Sequence, residues 1–351
     1  MTPSETPSRI LVIRFSSMGD IVLTSPVTRA VRRIWPDAEI DFLTRSEYVG
    51  LARALPGVSE VERLEPVKGR PRLISRIRRR KYDLVIDLHG NLRSRLVSLA
   101  GNAGRVVRYD KRRLSRMAIV RKPGGTAVVP HTVDRYLATL DRLDPVGASH
   151  RDGAQGAQEK RLPGLNVDAR AVACVEERLA DAGIGPGVPV LGVAPGASHG
   201  PKRWLPERFA QVAEHVAESR DMRVLLLGSE EDRTVTGEVA RAMKSPAVDW
   251  TGTTDLSLLP AAVRRCGLLV SNDSGPMHVA TAVGTPVVGV FGATHPRLGF
   301  APLGPADAVV TLDLPCSPCS LHGDRPCRYG THACMEDLEP RRVIEEAERL
   351  I

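Results

Sequence analysis

The stretch Ser271-Asn272-Asp273-Ser274-Gly275-Pro276-Met277-His278-Val279-Ala280 decides the fold class. A short apolar run at 268–270 precedes it. The helix-stop residues Gly284 and Pro286 follow, and then a second apolar run at 287–291. This is the pattern of strand, tight polar turn, helix and strand. Ser274 or Asp273 is expected to cap the helix. Gly275 and the backbone N–H groups of the first turn suit an anion such as a phosphate. His278, four residues beyond Ser274, falls on the same helix face and can point at the same ligand. An ordinary capped turn with a buried histidine has the same pattern, so the rest of the chain must decide between the two.

The alternation extends in both directions. Strands are expected at 9–15, 40–44, 58–64, 82–88 and 105–109, then at 188–193, 223–227 and 247–250. Helices are expected at 21–35, 48–54, 71–80, 92–100, 111–121 and 133–143 in the first half. In the second they fall at 168–182, 206–218, 231–243, 257–266 and 341–350. Short apolar strands alternating with helices predict an α/β protein of two doubly wound, Rossmann-like domains. The expected division is 1–150, a linker at 151–166 within the Gly-, Pro- and Ala-rich run 144–166, and 167–351. A chain of 351 residues can build two cores. In open α/β sheets ligands bind beyond the carboxyl ends of the strands. Four polar turns fall at such ends, 16–20, 89–93, 194–202 and 271–275, and a cleft between facing domains would collect them.

Composition narrows the class. Hydrophobic residues make up 42% and charged residues 26%, as in soluble globular proteins. No run of about eighteen apolar residues suggests a membrane span. The first residues lack the basic start of a signal peptide, which points to the cytoplasm. Residues 1–150 hold 28 Lys and Arg against 15 Asp and Glu, while the remainder hold 21 against 26. The basic half implies an anionic partner: nucleic acid, an acidic membrane surface or a phosphorylated substrate. Aromatic residues are only 4% and none interleaves the basic run 76–81, which argues against single-stranded nucleic acid.

The first turn carries one glycine, so the G-x-G-x-x-G dinucleotide fingerprint is absent there, and no P-loop motif occurs. Asp20 is either a first-turn acid favoured by the helix dipole or a general base for a hydroxyl nucleophile. Lys202 and Arg203 are either a surface pair or cations that neutralise a leaving phosphate. Glu230 is either a helix-start acid or an acceptor for ribose hydroxyls.

The motifs in order are Arg14-Phe15-Ser16-Ser17-Met18-Gly19-Asp20-Ile21-Val22 with Pro26, and Asp87-Leu88-His89-Gly90-Asn91-Leu92-Arg93-Ser94. Pro195-Gly196-Ala197 with Lys202-Arg203-Trp204, Gly228-Ser229-Glu230 and residues 272–278 complete the set. Together they resemble glycosyltransferase family 9, the bacterial heptosyltransferases of lipopolysaccharide core assembly. The resemblance implies a GT-B fold, with the acceptor on the N-terminal domain and the nucleotide sugar on the C-terminal one. It further implies inverting, metal-independent transfer from ADP-heptose to an anionic glycolipid, by a cytoplasmic enzyme peripheral to the inner membrane. On this chain Asp20 would be the base. Lys202 with the N–H groups at Ser274 and Gly275 would hold the diphosphate, Glu230 the ribose, and Asp273 with His278 the heptose or phosphates. Ser17, Gly19, His89 and Arg93 would face the acceptor, with His89 where glutamine is more usual. Two alternatives remain: another nucleotide sugar or acceptor on the same fold, or a nucleotide-binding regulator that does not need Asp20.

Cys174 and Cys266 are expected in helices as small core residues. Cys316, Cys319, Cys327 and Cys334 have the spacing C-x2-C-x7-C-x6-C in a Pro- and Gly-rich loop, 316–334. Four thiolates so placed suit a structural zinc or iron, with His322 and His332 as substitute ligands. Reduced thiols or a redox-sensitive pair are the alternative.

Overall fold

The computed structural model describes residues 6–64, 69–143 and 154–351. The chain forms two compact units: Met1–Lys111 with Thr132–Asn166, and Arg112–His131 with Val167–Ile351. Residues 112–131 therefore group with the second unit, not with the stretch 1–150. Of the expected linker 151–166, residues 151–153 lie outside the described residues, and the remainder carries a helix, Ala154–Arg161.

The chain opens with β1 (Arg9–Ile13), α1 (Met18–Val22), α2 (Ser25–Ile34), β2 (Glu39–Arg45), α3 (Val49–Arg53) and β3 (Glu60–Leu64). Next come α4 (Arg70–Arg80), β4 (Leu84–Asp87), α5 (Leu92–Ala100), β5 (Arg105–Arg108), α6 (Arg113–Arg121), α7 (Thr132–Leu137) and α8 (Ala154–Arg161). Then follow α9 (Ala169–Asp181), β6 (Val190–Ala194), α10 (Pro206–Arg220), β7 (Arg223–Leu226), α11 (Arg233–Ala242), β8 (Val248–Asp249) and α12 (Leu259–Arg265). The chain closes with β9 (Leu268–Asn272), α13 (Gly275–Val283), β10 (Val287–Phe291), β11 (Asp307–Thr311), α14 (Ala333–Glu336) and α15 (Pro340–Leu350).

The first sheet has the order β3-β2-β1-β4-β5, all parallel. β1 is central, and Ile10 to Ile13 are fully buried, because helices cover both faces of a parallel sheet. Leu73 and Ile77 of α4 pack on Leu11, Ile13, Leu43 and Val85. The expected single helix 21–35 is two. α1 ends at Val22, and α2 restarts at Ser25 with Pro26 in its first turn, where the missing proline N–H costs no hydrogen bond.

The second sheet has the order β11-β10-β9-β6-β7-β8, again parallel. Its core gathers Val193, Leu226, Val270 and Val290 with Trp204 and Phe209, whose rings meet edge-on at 5.2 Å. In each sheet the strand order reverses beside a central strand. The reversal lies between β1 and β4 in the first sheet and between β6 and β9 in the second. At such switch points the connecting loops part and leave a crevice for ligand.

Candidate active site

At the first switch point the chain leaves β1 through Arg14 and Phe15 into α1. The Arg14 guanidinium is held at three points: Nη1 donates to the Leu88 carbonyl (2.8 Å), Nε to the Ser16 carbonyl (2.7 Å), and Nη2 pairs with Asp20 Oδ2 at 2.6 Å. The two side chains are only 10% and 17% exposed. Ser17 Oγ also donates to Asp20 Oδ2 (3.0 Å), and Tyr136 Oη, from α7, donates to Oδ1 (3.2 Å). Tyr136 is fully buried edge-on to Tyr109. Burial pulls the Asp20 carboxyl upward. The Arg14 charge and the hydrogen bonds from Ser17 and Tyr136 outweigh it, so the group sits below the ordinary carboxylate range. Asp20 is thus an ionised, oriented acceptor at neutral pH, and it is also the first-turn acid of α1.

The loop after β4 adjoins this face. Asp87, fully buried, accepts the His89 and Gly90 N–H groups on Oδ1 (3.0 and 2.8 Å) and Ser94 Oγ on Oδ2 (2.8 Å). That fixes the His89 ring 4.7 Å from Phe15. Burial, then the nearby positive charges of Arg14 and Lys111, push the imidazole down to about 3. His89 is therefore neutral and can offer a hydrogen bond but not a charge. Ser17 is exposed, Gly19 is buried in α1, and Arg93 points to solvent from the first turn of α5.

At the second switch point Lys202 Nζ, after β6, pairs with Asp273 Oδ2, after β9, at 2.9 Å, with side chains 13% and 10% exposed. Thr294 Oγ1 donates to the same carboxylate oxygen (2.6 Å). Arg203 turns the other way, toward Asp232 beyond β7 (3.6 Å) and the Ala197 carbonyl (2.9 Å). The expected basic pair therefore straddles β6. Asn272 joins the loops from below: Oδ1 accepts the Trp204 N–H (3.0 Å) and Nδ2 donates to the Pro195 carbonyl (2.7 Å).

Neither expected cap serves α13. Ser274 occupies the cap position, but its hydroxyl lies 3.2 Å from Ser271 Oγ, and the Asp273 carboxylate is taken by Lys202 and Thr294. The first-turn amides thus have no side-chain cap. His278 is buried within α13 at 4% exposure. Glu230 begins the turn Glu230–Asp232 after β7; it is 68% exposed and ion-paired with Arg233.

Residues 70–329 match the family model described as glycosyltransferase family 9 (heptosyltransferase). The chain belongs to glycosyltransferase family 9. It is 28% identical over 360 residues to lipopolysaccharide heptosyltransferase 2 of Escherichia coli K12, covering 98% of each chain. The solved E. coli ADP-heptose lps heptosyltransferase II superposes with a TM-score of 0.74 at 25% identity, over 97% of this chain and 98% of that one. A family 9 glycosyl transferase from Veillonella parvula DSM 2008 superposes with a TM-score of 0.79 at 23% identity, over 99% and 98%, which supports the shared fold. This family 9 member is a glycosyltransferase of the GT-B fold.

The cysteine-rich loop of this glycosyltransferase brings its four cysteines close together. Cys316, Cys319, Cys327 and Cys334 line one cavity of about 30 Å³ with Pro201 and His332. Even so, among the described residues no three His, Cys, Asp or Glu stand at metal-ligand spacing. Burial, with Cys319, Cys316 and Cys327 nearby, pushes the Cys334 thiol up to about 12. His332 Nε2 instead lies 3.0 Å from the Pro201 carbonyl, and His322 is not among the lining residues. The loop also reaches the second switch point: Gly323, with φ at +73°, packs against the Lys202 stem so closely that a Cβ would overlap Lys202 Cγ.

Residue-by-residue reading missed Tyr136, Thr294, Asp232 and Asn272 as site residues. Asn272 and Arg14 stood inside quoted motifs. Tyr136 lies 116 residues from Asp20 on a separate helix, and no local pattern marks it.

Proposed function

We propose that this family 9 enzyme transfers heptose from ADP-heptose, with inversion, to an anionic acceptor of lipopolysaccharide-core type. The observation that carries this reading is Asp20: an ionised carboxylate fixed by Arg14, Ser17 and Tyr136 at a switch point. Asp20 removes the proton from the acceptor hydroxyl as that oxygen attacks the anomeric carbon from the face opposite the diphosphate. ADP leaves with growing negative charge. Lys202, steadied by Asp273, and the uncapped first-turn amides at Ser274 and Gly275 receive it. Glu230 binds the ribose, and Asp273 and His278 lie toward the heptose or phosphates. Ser17, Gly19, neutral His89 and Arg93 receive the acceptor.

Two facts support the substrate class: the names of the full-length relatives, and the excess of Lys and Arg in residues 1–150. Among the described residues no helix is long and apolar enough to cross a membrane. The reading places the enzyme in the cytoplasm, peripheral to the inner membrane. The cysteine loop supplies no step of the reaction.

The test is ADP release from ADP-heptose with a Kdo–lipid A-type acceptor, comparing wild type with Asp20→Asn. The variant keeps the side-chain shape and should lose about 10²–10⁴-fold in kcat with unchanged ADP affinity. Full activity in Asp20→Asn sinks the base assignment. Tight ADP binding without turnover in the wild type moves the donor or acceptor to another sugar.

A further inference from the structure

α5 is reversed for a helix that only serves the core. Its inward side carries Ser94 and Ser98, 0% and 2% exposed, together with Val97. Ser94 Oγ donates to Asp87 and Ser98 Oγ to the Ser94 carbonyl, both at 2.8 Å. The leucines lie outside: Leu92, Leu96 and Leu99 are 73%, 56% and 69% exposed. Their spacing of four and three residues aligns them as one stripe two turns long. A contiguous apolar stripe on the surface marks something that covers it.

The surrounding charge says what. Arg93 and Arg95 are exposed beside the stripe. Arg78 Nε donates to the Ala100 carbonyl (2.6 Å), which sets Arg78 and its neighbour Arg79, both exposed in the last turn of α4, at the end of α5, while Arg80 turns to Glu39 and Asp41. Neither α4 nor α5 contains an acidic residue. A second copy of the chain packed symmetrically here would set arginines against arginines. An anionic bilayer satisfies both features, because leucines enter the headgroup boundary while arginine stems lie along it and their heads pair with phosphates.

We propose that α5 docks this enzyme on an anionic phospholipid surface through Leu92, Leu96 and Leu99, with Arg93, Arg95 and the α4 residues Arg78 and Arg79 on lipid phosphates. The proposal deepens the lipid-acceptor reading and rests on it for its biological sense. α5 begins at the loop that carries His89, so a docked α5 holds the first switch point next to the bilayer where a glycolipid acceptor resides.

The experiment is co-sedimentation of the full chain with vesicles of phosphatidylglycerol and phosphatidylethanolamine, or of phosphatidylcholine alone. The variant is Leu96→Gln/Leu99→Gln, which keeps helix-forming residues. Wild type should partition onto the anionic vesicles and not the neutral ones, and the variant about tenfold less. Its melting temperature and its turnover with a delipidated, water-soluble acceptor should stay unchanged. Equal partitioning of variant and wild type, or no binding by wild type, overturns the proposal. So does a wild-type dimer in sedimentation that the variant abolishes, because the stripe would then belong to a second copy. Vesicle binding without any heptose transfer would sink the reaction reading and leave this one standing.

Discussion

Asp20 has more donors than a first-turn carboxylate needs, and that excess sets its behaviour with pH. Its folded value is depressed, so the ionised form and the ion pair with Arg14 persist at neutral pH and are lost only as pH falls through that depressed value. Loss of the proposed base function follows the same direction, so the acid limb of kcat/KM should lie below the ordinary carboxylate range. Tyr136→Phe removes one of the groups that depress Asp20 while keeping the ring against Tyr109. The expected outcome is an acid limb moved toward neutral pH and a several-fold lower kcat/KM, read from a pH–rate profile; an unmoved limb would show that Arg14 and Ser17 alone set the value. Asp20→Ala is the poorer probe of chemistry. It strands the buried Arg14 charge, at a cost of about 3–5 kcal/mol in folding, and confuses activity with stability.

At the scale of elements, the cysteine loop acts on Lys202 through packing. Gly323 presses on the stem of Lys202, whose ammonium in turn meets Asp273. Gly323→Ala should therefore push Lys202 from its place and weaken ADP binding by about tenfold, ~1.4 kcal/mol, as titration calorimetry would read it. Gly330→Ala is the control: its φ of +72° strains the loop equally, but nothing lies within 4 Å of the added carbon. Equal losses in the two variants would reduce the effect to loop strain. The elements themselves were unevenly legible. β10 spans residues 287–291, as its continuous apolar run predicts, since a central parallel strand is buried on both faces. β11 was not expected. It is a half-buried edge strand, and partial burial leaves a weak apolar signal. The residues of α8 read as linker because Ala154 to Arg161 carry no apolar stripe, and α14 is too short to show a period.

For the molecule as a whole, each sheet brings distant motifs together only at its switch point. Asn272 is the joint in the second sheet, fully buried and bonded to the loop after β6 on both its amide atoms. Asn272→Ala leaves the Trp204 N–H and the Pro195 carbonyl buried without partners. The expected cost is about 2–4 kcal/mol, visible as a lower midpoint in urea unfolding followed by tryptophan fluorescence. A midpoint within error of wild type would mean that the two loops hold their places without it. By itself the sequence determined the α/β class, the two doubly wound halves, the strand-end turns and the family, because strand periodicity, helix caps and glycine turns are local and repeat in order along the chain. Only the tertiary structure decided which side chains meet. Tyr136 reaches Asp20 across 116 residues, Lys202 turns to Asp273 while its neighbour Arg203 turns to Asp232, and α5 puts serines inward and leucines outward. Such pairings depend on strand order and on which helix face meets the sheet, and these are set by packing between segments far apart in the chain, which no local pattern encodes.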